Sequence, residues 1–276
     1  GGDPNPAPTT KDAGGDGSTK PPAPAMHTLA FDPLGAPVTD ADKRLVRATP
    51  NLTLDGKKIA TGYHAILRGG DIVGGVTFGA LTDRDGALIK LPDNSTAIDN
   101  GADFTSLLEV SGKLYSITHF ESGKPAAAYL TELTQDKTTG ALTATSTHPI
   151  DFSSVDGLWT PCAGSVTPWN THLGGEEYEP DARAFGEATT TAKVDAFFAP
   201  QALYFKLDPT TATIDQMKAT LDPYKYGYPV EIAITGAGTT QVSKHYTMGR
   251  KANELAYVMP DKKTVYMTDD GDNTGF

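Results

Sequence analysis

From Thr28 onward the chain repeats one pattern: a short run of β-branched, aromatic and aliphatic residues, then a cluster of Gly, Asp, Asn, Pro or Thr. The runs KLYSITHFES, AAAYLTELTQD, ALTATSTHPIDF, QALYFKLDPTTATI, NELAYVMPD and KTVYMTDDGD fit it. Each holds about five to seven β-prone residues, the usual strand length. Two stretches read as hairpins, YLTELTQDKTTGALTAT turning at Thr-Thr-Gly and YFKLDPTTATI turning at Asp-Pro. Helical periodicity is scarce, and only TIDQMKATLDPY supplies a short helix, ended by Pro223. The pattern predicts a mainly β protein.

Hairpins recurring in this way point to propeller blades rather than a sandwich, although no strict sequence repeat marks them. A propeller needs at least about four blades, and the runs after Asn100 supply fewer. The expectation is therefore a partial propeller over 28–276, the N-terminal portion of a domain that continues beyond the end of this chain. The first 25 residues, rich in Gly, Pro, Asp and Thr, lack large apolar side chains. Such a segment cannot repay its ordering entropy, so 1–27 reads as a disordered Gly/Pro-rich tether, compatible with export and with a lipidated cysteine upstream.

Charge narrows the partners. Against 23 Lys and Arg stand 34 Asp and Glu, a formal net charge of -11, which repels nucleic-acid phosphates and anionic membranes and favours cations. No apolar run approaches the roughly 20 residues of a membrane span. A single cysteine excludes an internal disulfide.

That cysteine, Cys162, lies in TPCAGSVTPWNTHLGGEEYEPD, a loop stiffened by Pro161, Gly164 and Pro168. A free cysteine is most often a small buried hydrophobe. Here it precedes Glu176, Glu177, Glu179 and Asp181, four carboxylates within six residues. They repel one another unless solvated or neutralised by a cation. Consecutive strand residues face opposite sides, so Glu176 and Glu177 could serve two ions, or one ion and a structural partner. Sulfur suits iron or zinc and clustered carboxylates suit calcium or magnesium, so the mixed set implies a polynuclear centre. Arg250 and Glu254 in GRKANE, with Asp269, Asp270 and Asp272 after TVYMT, form a second constellation; the arginine would supply a fork for phosphate, or an ordinary surface ion pair. In THFES, His119 reads as a core or exposed histidine and Glu121 as an outer metal ligand.

The stretches DFTSLL, THFE, LWTPCAGSVTPWNTHLGGEEYEPDA, GRKANE and VYMTDD, in this order, resemble those of the PhoX-type bacterial alkaline phosphatases, over roughly Ile59 to Phe276. The resemblance implies a β-propeller that carries ferric and calcium ions (Fe³⁺ and Ca²⁺) and hydrolyses phosphate monoesters outside the cytoplasm. By position it makes Cys162 the thiolate iron ligand, one or both of Glu176 and Glu177 carboxylate ligands, Glu254 the glutamate of the Gly-Arg-x-x-His-Glu motif and Arg250 its arginine. Glu121 and Asp270 complete the expected metal set. Asn253 stands where that motif has histidine, and the family's chains are longer, with further ligands expected from later blades. A catalytically silent, calcium-stabilised propeller that binds or assembles outside the cell is the alternative, and a hydrolase using calcium alone leaves Cys162 without a role.

Overall fold

The computed structural model describes residues 26–121, 124–236 and 238–271. Apart from Met26 and His27, the tether expected over 1–27 lies outside the described residues, as does Asp272. The chain divides into two compact units after His64. In the first, β1 (Leu29–Phe31), β2 (Asn51–Leu54) and β3 (Lys57–Ala60) form an antiparallel sheet in that order. Its β2–β3 turn is Asp55-Gly56, both at positive φ, the conformation an Asp-Gly hairpin turn requires. A single helical turn, α1 (Asp40–Lys43), starts from a reciprocal cap between Thr39 and Asp42.

The second unit is a series of antiparallel sheets. After the small hairpin of β4 (Ile72–Val73) and β5 (Val76–Thr77) comes a four-stranded meander, β6 (Ala102–Val110), β7 (Lys113–Phe120), β8 (Ala127–Gln135) and β9 (Leu142–Pro149). A second meander holds β10 (Pro161–Val166), β11 (His172–Glu176), β12 (Pro229–Thr235) and β13 (Thr239–Lys244), and a two-stranded sheet of β14 (Asn253–Val258) and β15 (Val265–Asp269) follows. The expected hairpin 129–145 is β8–β9, its turn held by Asp136, whose carboxylate accepts the amides of Thr138 and Thr139 at 2.8 and 2.7 Å. The protein is mainly β, as the pattern predicts. Four-stranded meanders are the units of which propellers are made, but no ring of sheets closes among the described residues.

Between β11 and β12 the chain leaves the sheet and folds into α2 (Ala182–Glu187), a 3₁₀ helix at Ala199–Phe205 and α3 (Ile214–Thr220). Helix α3 is the one predicted ahead of Pro223, and Thr213 and Gln216 cap it reciprocally. The hairpin expected over 204–214 is not formed. Its apolar residues fit the end of a 3₁₀ helix as well as a strand, and Pro200 stands in the first turn of that helix. Ala202, Phe205, Leu207, Ala212 and Ile214 instead pack into an apolar cluster around Trp159, Phe198 and Tyr226. A separate core joins the two meanders, with Leu108, Tyr115, Ile117 and Leu130 against Val230 and Ile232. Each such side chain contributes about 1.5–3 kcal/mol by burial, which makes the sheets a rigid base for the loops at their ends.

Candidate metal centre

Three sheets of the second unit, β6–β9, β10–β13 and β14–β15, begin in the same way. Ala102 pairs with Phe120, Pro161 with Glu176 and Asn253 with Asp269, and just after each pair the register slips so that the first strand carries one residue more than its partner. Such a bulge re-aims the side chains it contains. The first residue inside each bulge is Asp103, Cys162 or Glu254. The residue that follows the partner on the second strand is Glu121, Glu177 or Asp270. Its amide donates to the carbonyl just ahead of the first strand in every case: Glu121 to Gly101 at 2.9 Å, Glu177 to Thr160 at 3.0 Å and Asp270 to Ala252 at 3.1 Å. Each sheet thus presents two donors from equivalent positions, a repeat in backbone register that no sequence repeat announces.

These side chains converge. The ligand atoms of Asp103, Glu121 and Cys162 lie within 4.8 Å of one another, and so do those of Cys162, Glu177 and Glu254. Cys162 Sγ belongs to both groups and stands 3.6 Å from Glu254 Oε1. Asp270 closes the far side, accepting the Tyr178 hydroxyl at 2.7 Å and lying in hydrogen-bonding reach of Glu177. Burial first, then the neighbouring Asp270 and Glu254, push the Glu177 carboxyl up to about 8. Glu121 is raised by burial and by Asp103. The Cys162 thiol, half-buried, is pushed far above its ordinary range by burial and by the charges of Glu177, Asp103, Glu254 and Glu121. Raised pKa values at Glu177, Glu121 and Cys162 are what a bound cation reverses, because positive charge favours carboxylate and thiolate together. The donors therefore fit a metal centre on their own chemistry.

Of the expected donors, Cys162, Glu177, Glu254 and Glu121 lie close together, Asp270 stands beside Glu177, and Asp103 joins them unforeseen. Glu176 and Arg250 go elsewhere. Glu176 points into the core, where its carboxylate pairs with Lys244 at 2.9 Å, both side chains fully buried, and accepts the amides of Trp159, Gly227 and Tyr228 at 3.0, 3.0 and 3.3 Å. It is the structural partner rather than a donor to the centre, because strand alternation sends it to the face opposite Glu177. The Arg250 guanidinium donates to the carbonyls of Tyr226, Pro180 and Pro223 and lies over the Tyr224 ring. That engagement spends Nε and Nη2 on backbone carbonyls, tying Arg250 to the segments at Pro180 and at 223–226.

Asn253 is fully buried, and its amide donates to the carbonyls of Gly227 and Lys251 at 2.8 and 3.0 Å. It staples the chain that leads into Glu254. His119 is a core histidine, pushed down to about 4 by burial. A basic group that sequence reading missed is Lys124, whose Nζ donates to the Glu121 carbonyl at 3.1 Å and sits 4.3 and 5.1 Å from the ring centres of Phe197 and Trp159. Beside it, Trp159, Tyr178, Phe197, Asp195 and Asp270 line a cavity of 340 Å³.

Bulged antiparallel sheets that hold a thiol among carboxylates at one end define the class: a mainly β protein with a candidate cation site at the ends of its sheets. The family follows from comparison with known proteins, in which residues 97–276 match the family described as Alkaline phosphatase PhoX. The chain belongs to this family, and the match spans every donor named above. No curated protein and no solved structure matches the chain.

Proposed function

We propose that this chain carries the metal-holding part of an exported, PhoX-type alkaline phosphatase, with β6–β9 and β10–β13 as propeller blades and β14–β15 as strands of another. The observation that carries the reading is the convergence of Cys162 with carboxylates from three sheets, two donors per sheet, inside the segment that matches the family. Cys162 with Glu177 and Glu254 would hold Fe³⁺, for which sulfur is the distinguishing ligand. Asp103, Glu121 and Asp270, all oxygen donors on the rim, suit Ca²⁺. Bound ions supply Lewis-acid polarisation of the phosphoryl oxygens and an activated oxygen nucleophile.

The chain's own groups do the rest. Lys124, held over two rings beside Glu121 and pulled down to about 8 by burial, takes the phosphate-bracing part in place of Arg250, as a point charge at pH below that value rather than a fork. The 340 Å³ cavity under Tyr178 and Trp159 receives the leaving group. The Glu176–Lys244 pair lies behind the centre and keeps β11 fixed while Glu177 binds. No described helix is long and apolar enough to cross a membrane.

The test is hydrolysis of a chromogenic phosphate monoester by the full-length protein with Fe³⁺ and Ca²⁺, alongside elemental analysis. Cys162→Ala should lose iron and at least about 100-fold in kcat, since a direct ligand matters more than an outer-shell partner; full activity in that variant removes iron–thiolate chemistry from the reading. The engagement of Arg250 favours one rival, the catalytically silent calcium-stabilised module. Calcium without iron, and no hydrolysis by wild type, would establish it instead.

A further inference from the structure

Behind the centre lie two imidazoles that the proposed chemistry does not use. His119 on β7 and His172 on β11 are 2% and 0% exposed. Ser106 Oγ stands 2.8 Å from His172 Nδ1, the two Nε2 atoms bond each other, and His119 Nδ1 lies 3.1 Å from the carbonyl oxygen of Cys162. A carbonyl only accepts. In the neutral pair His119 must therefore carry its proton on Nδ1, which leaves its Nε2 an acceptor. His172 must then donate from Nε2, which leaves its Nδ1 to accept the Ser106 hydroxyl. The reverse assignment would set the His119 Nδ1 lone pair against the carbonyl lone pairs. Only one neutral arrangement satisfies every atom, and its direction runs from Ser106 to Cys162.

The surroundings are shaped to these rings. A Cβ on Gly174 would fall inside the imidazole of His119, and one on Gly164 would meet the Phe104 ring at 2.5 Å. Phe104 in turn lies 6.2 and 5.4 Å from the centres of the His119 and His172 rings. Glycines at both positions let the two sheets close on the pair.

We propose that Ser106, His172 and His119 form a one-way brace, locked in a single tautomer set, that fixes the carbonyl of Cys162 and so aims its sulfur. His119 is a positioning residue. The tautomers stand independently of the proposed function; only the effect on metal rests on it.

The full chain, labelled with ¹⁵N-histidine, should show in long-range ¹H–¹⁵N correlations a proton on Nδ1 of His119 and on Nε2 of His172. A His119 protonated on Nε2, alone or together with Nδ1, overturns the brace. His119→Asn places an amide nitrogen where Nδ1 was, and His119→Gln places one where Nε2 was. Because the chain has one cysteine, alkylation of metal-free protein by iodoacetamide reports Cys162 alone. His119→Gln should alkylate faster than wild type and lose about tenfold in iron affinity by chelator competition, while His119→Asn should stay close to wild type in both. Equal behaviour of the two variants would reduce the pair to core packing. If wild type takes up no iron, the proposed function fails, and the correlations and alkylation rates still decide the brace.

Discussion

Glu176 and Glu177 stand side by side at the end of β11, both buried, and their partners differ. Glu176 has a buried lysine and three backbone amides; Glu177 faces carboxylates and a thiol. The neighbouring sheets show why. The position of Glu176 is filled by Phe120 in the preceding sheet, also fully buried. That of Glu177 is filled by Glu121 and Asp270. The first slot is fully buried in two of the three sheets and holds the half-buried Asp269 in the third, whereas the second takes an acid every time. The lesson is that the register position of an acid, read across equivalent strands, separates a structural carboxylate from a ligand better than its neighbours in sequence do.

The largest effect expected from this contrast lies on the core side. Burial pushes the Glu176 carboxyl up and the Lys244 ammonium down, and each group draws the other back toward its charged form. Lys244→Met leaves a buried carboxylate without its countercharge and should cost about 3–5 kcal/mol, roughly a 10 °C fall in Tm for a unit of this size. Glu176→Gln added to Lys244→Met should recover a substantial part, because the amide oxygen still accepts backbone N–H groups and no charge remains. Thermal unfolding of the two variants decides the matter. A double variant no more stable than Lys244→Met would mean that the site is something other than a core slot.

The strands of this fold were legible in sequence, and so was most of the centre, but for different reasons. KLYSITHF and the hairpin 129–145 carry enough β-branched and aromatic residues to declare themselves, and they appear as β7 and β8–β9. The segment 201–214 did not, because its apolar residues fit the end of a 3₁₀ helix as easily as a strand, and only the cluster at Trp159 decides between them. Cys162, Glu177 and Glu254 were visible as unusual residues in specific motifs. Asp103 was not, since one acid in an ordinary strand means nothing until a bulge turns it toward a cysteine 59 positions away. Arg250 misled because a guanidinium near acids in sequence looks like a phosphate fork, while the backbone carbonyls that claim it come from two other segments, at Pro180 and at 223–226. The Lys244 partner of Glu176 was equally invisible, being supplied by β13.

On the side of the centre the contrast can be read from pH. In metal-free protein the unfolded chain releases the Glu177 proton near the ordinary 4.5, whereas the folded chain holds it up to about 8. The unfolded state then binds fewer protons in this window, so folded stability falls as pH rises from about 4.5 to about 8, on the order of 3 kcal/mol in all. Glu177→Gln should flatten that limb and raise the Tm of metal-free protein at pH 8. Bound cations should remove it in wild type, since they favour the charged form. An unchanged limb in Glu177→Gln would show that the crowded acids are not what strains the metal-free chain.

A third carboxylate tests whether partners alone decide the sign. Glu231 on β12 is neither in the core slot nor in the centre; it accepts from His245 at 2.8 Å, from Thr171 and from the Trp169 indole. The His245 bond above all, helped by Thr171 and Trp169 against partial burial, holds its carboxyl down to about 2 from the ordinary 4.5. A lowered acid stabilises the fold above its unfolded pKa and loses that contribution as pH falls toward its folded pKa. Stability should therefore drop between about pH 4.5 and pH 2 by on the order of 2 kcal/mol, opposite in direction to the limb of Glu177. Glu231→Gln should lose this acid limb while keeping the alkaline one, and Glu177→Gln should do the reverse. Urea unfolding of the metal-free protein across pH 2 to 8 separates them: a Glu231→Gln chain whose stability still falls in parallel with wild type below pH 4.5 would assign the acid limb to other carboxylates and remove donor count as the reason why one glutamate supports this fold and another burdens it.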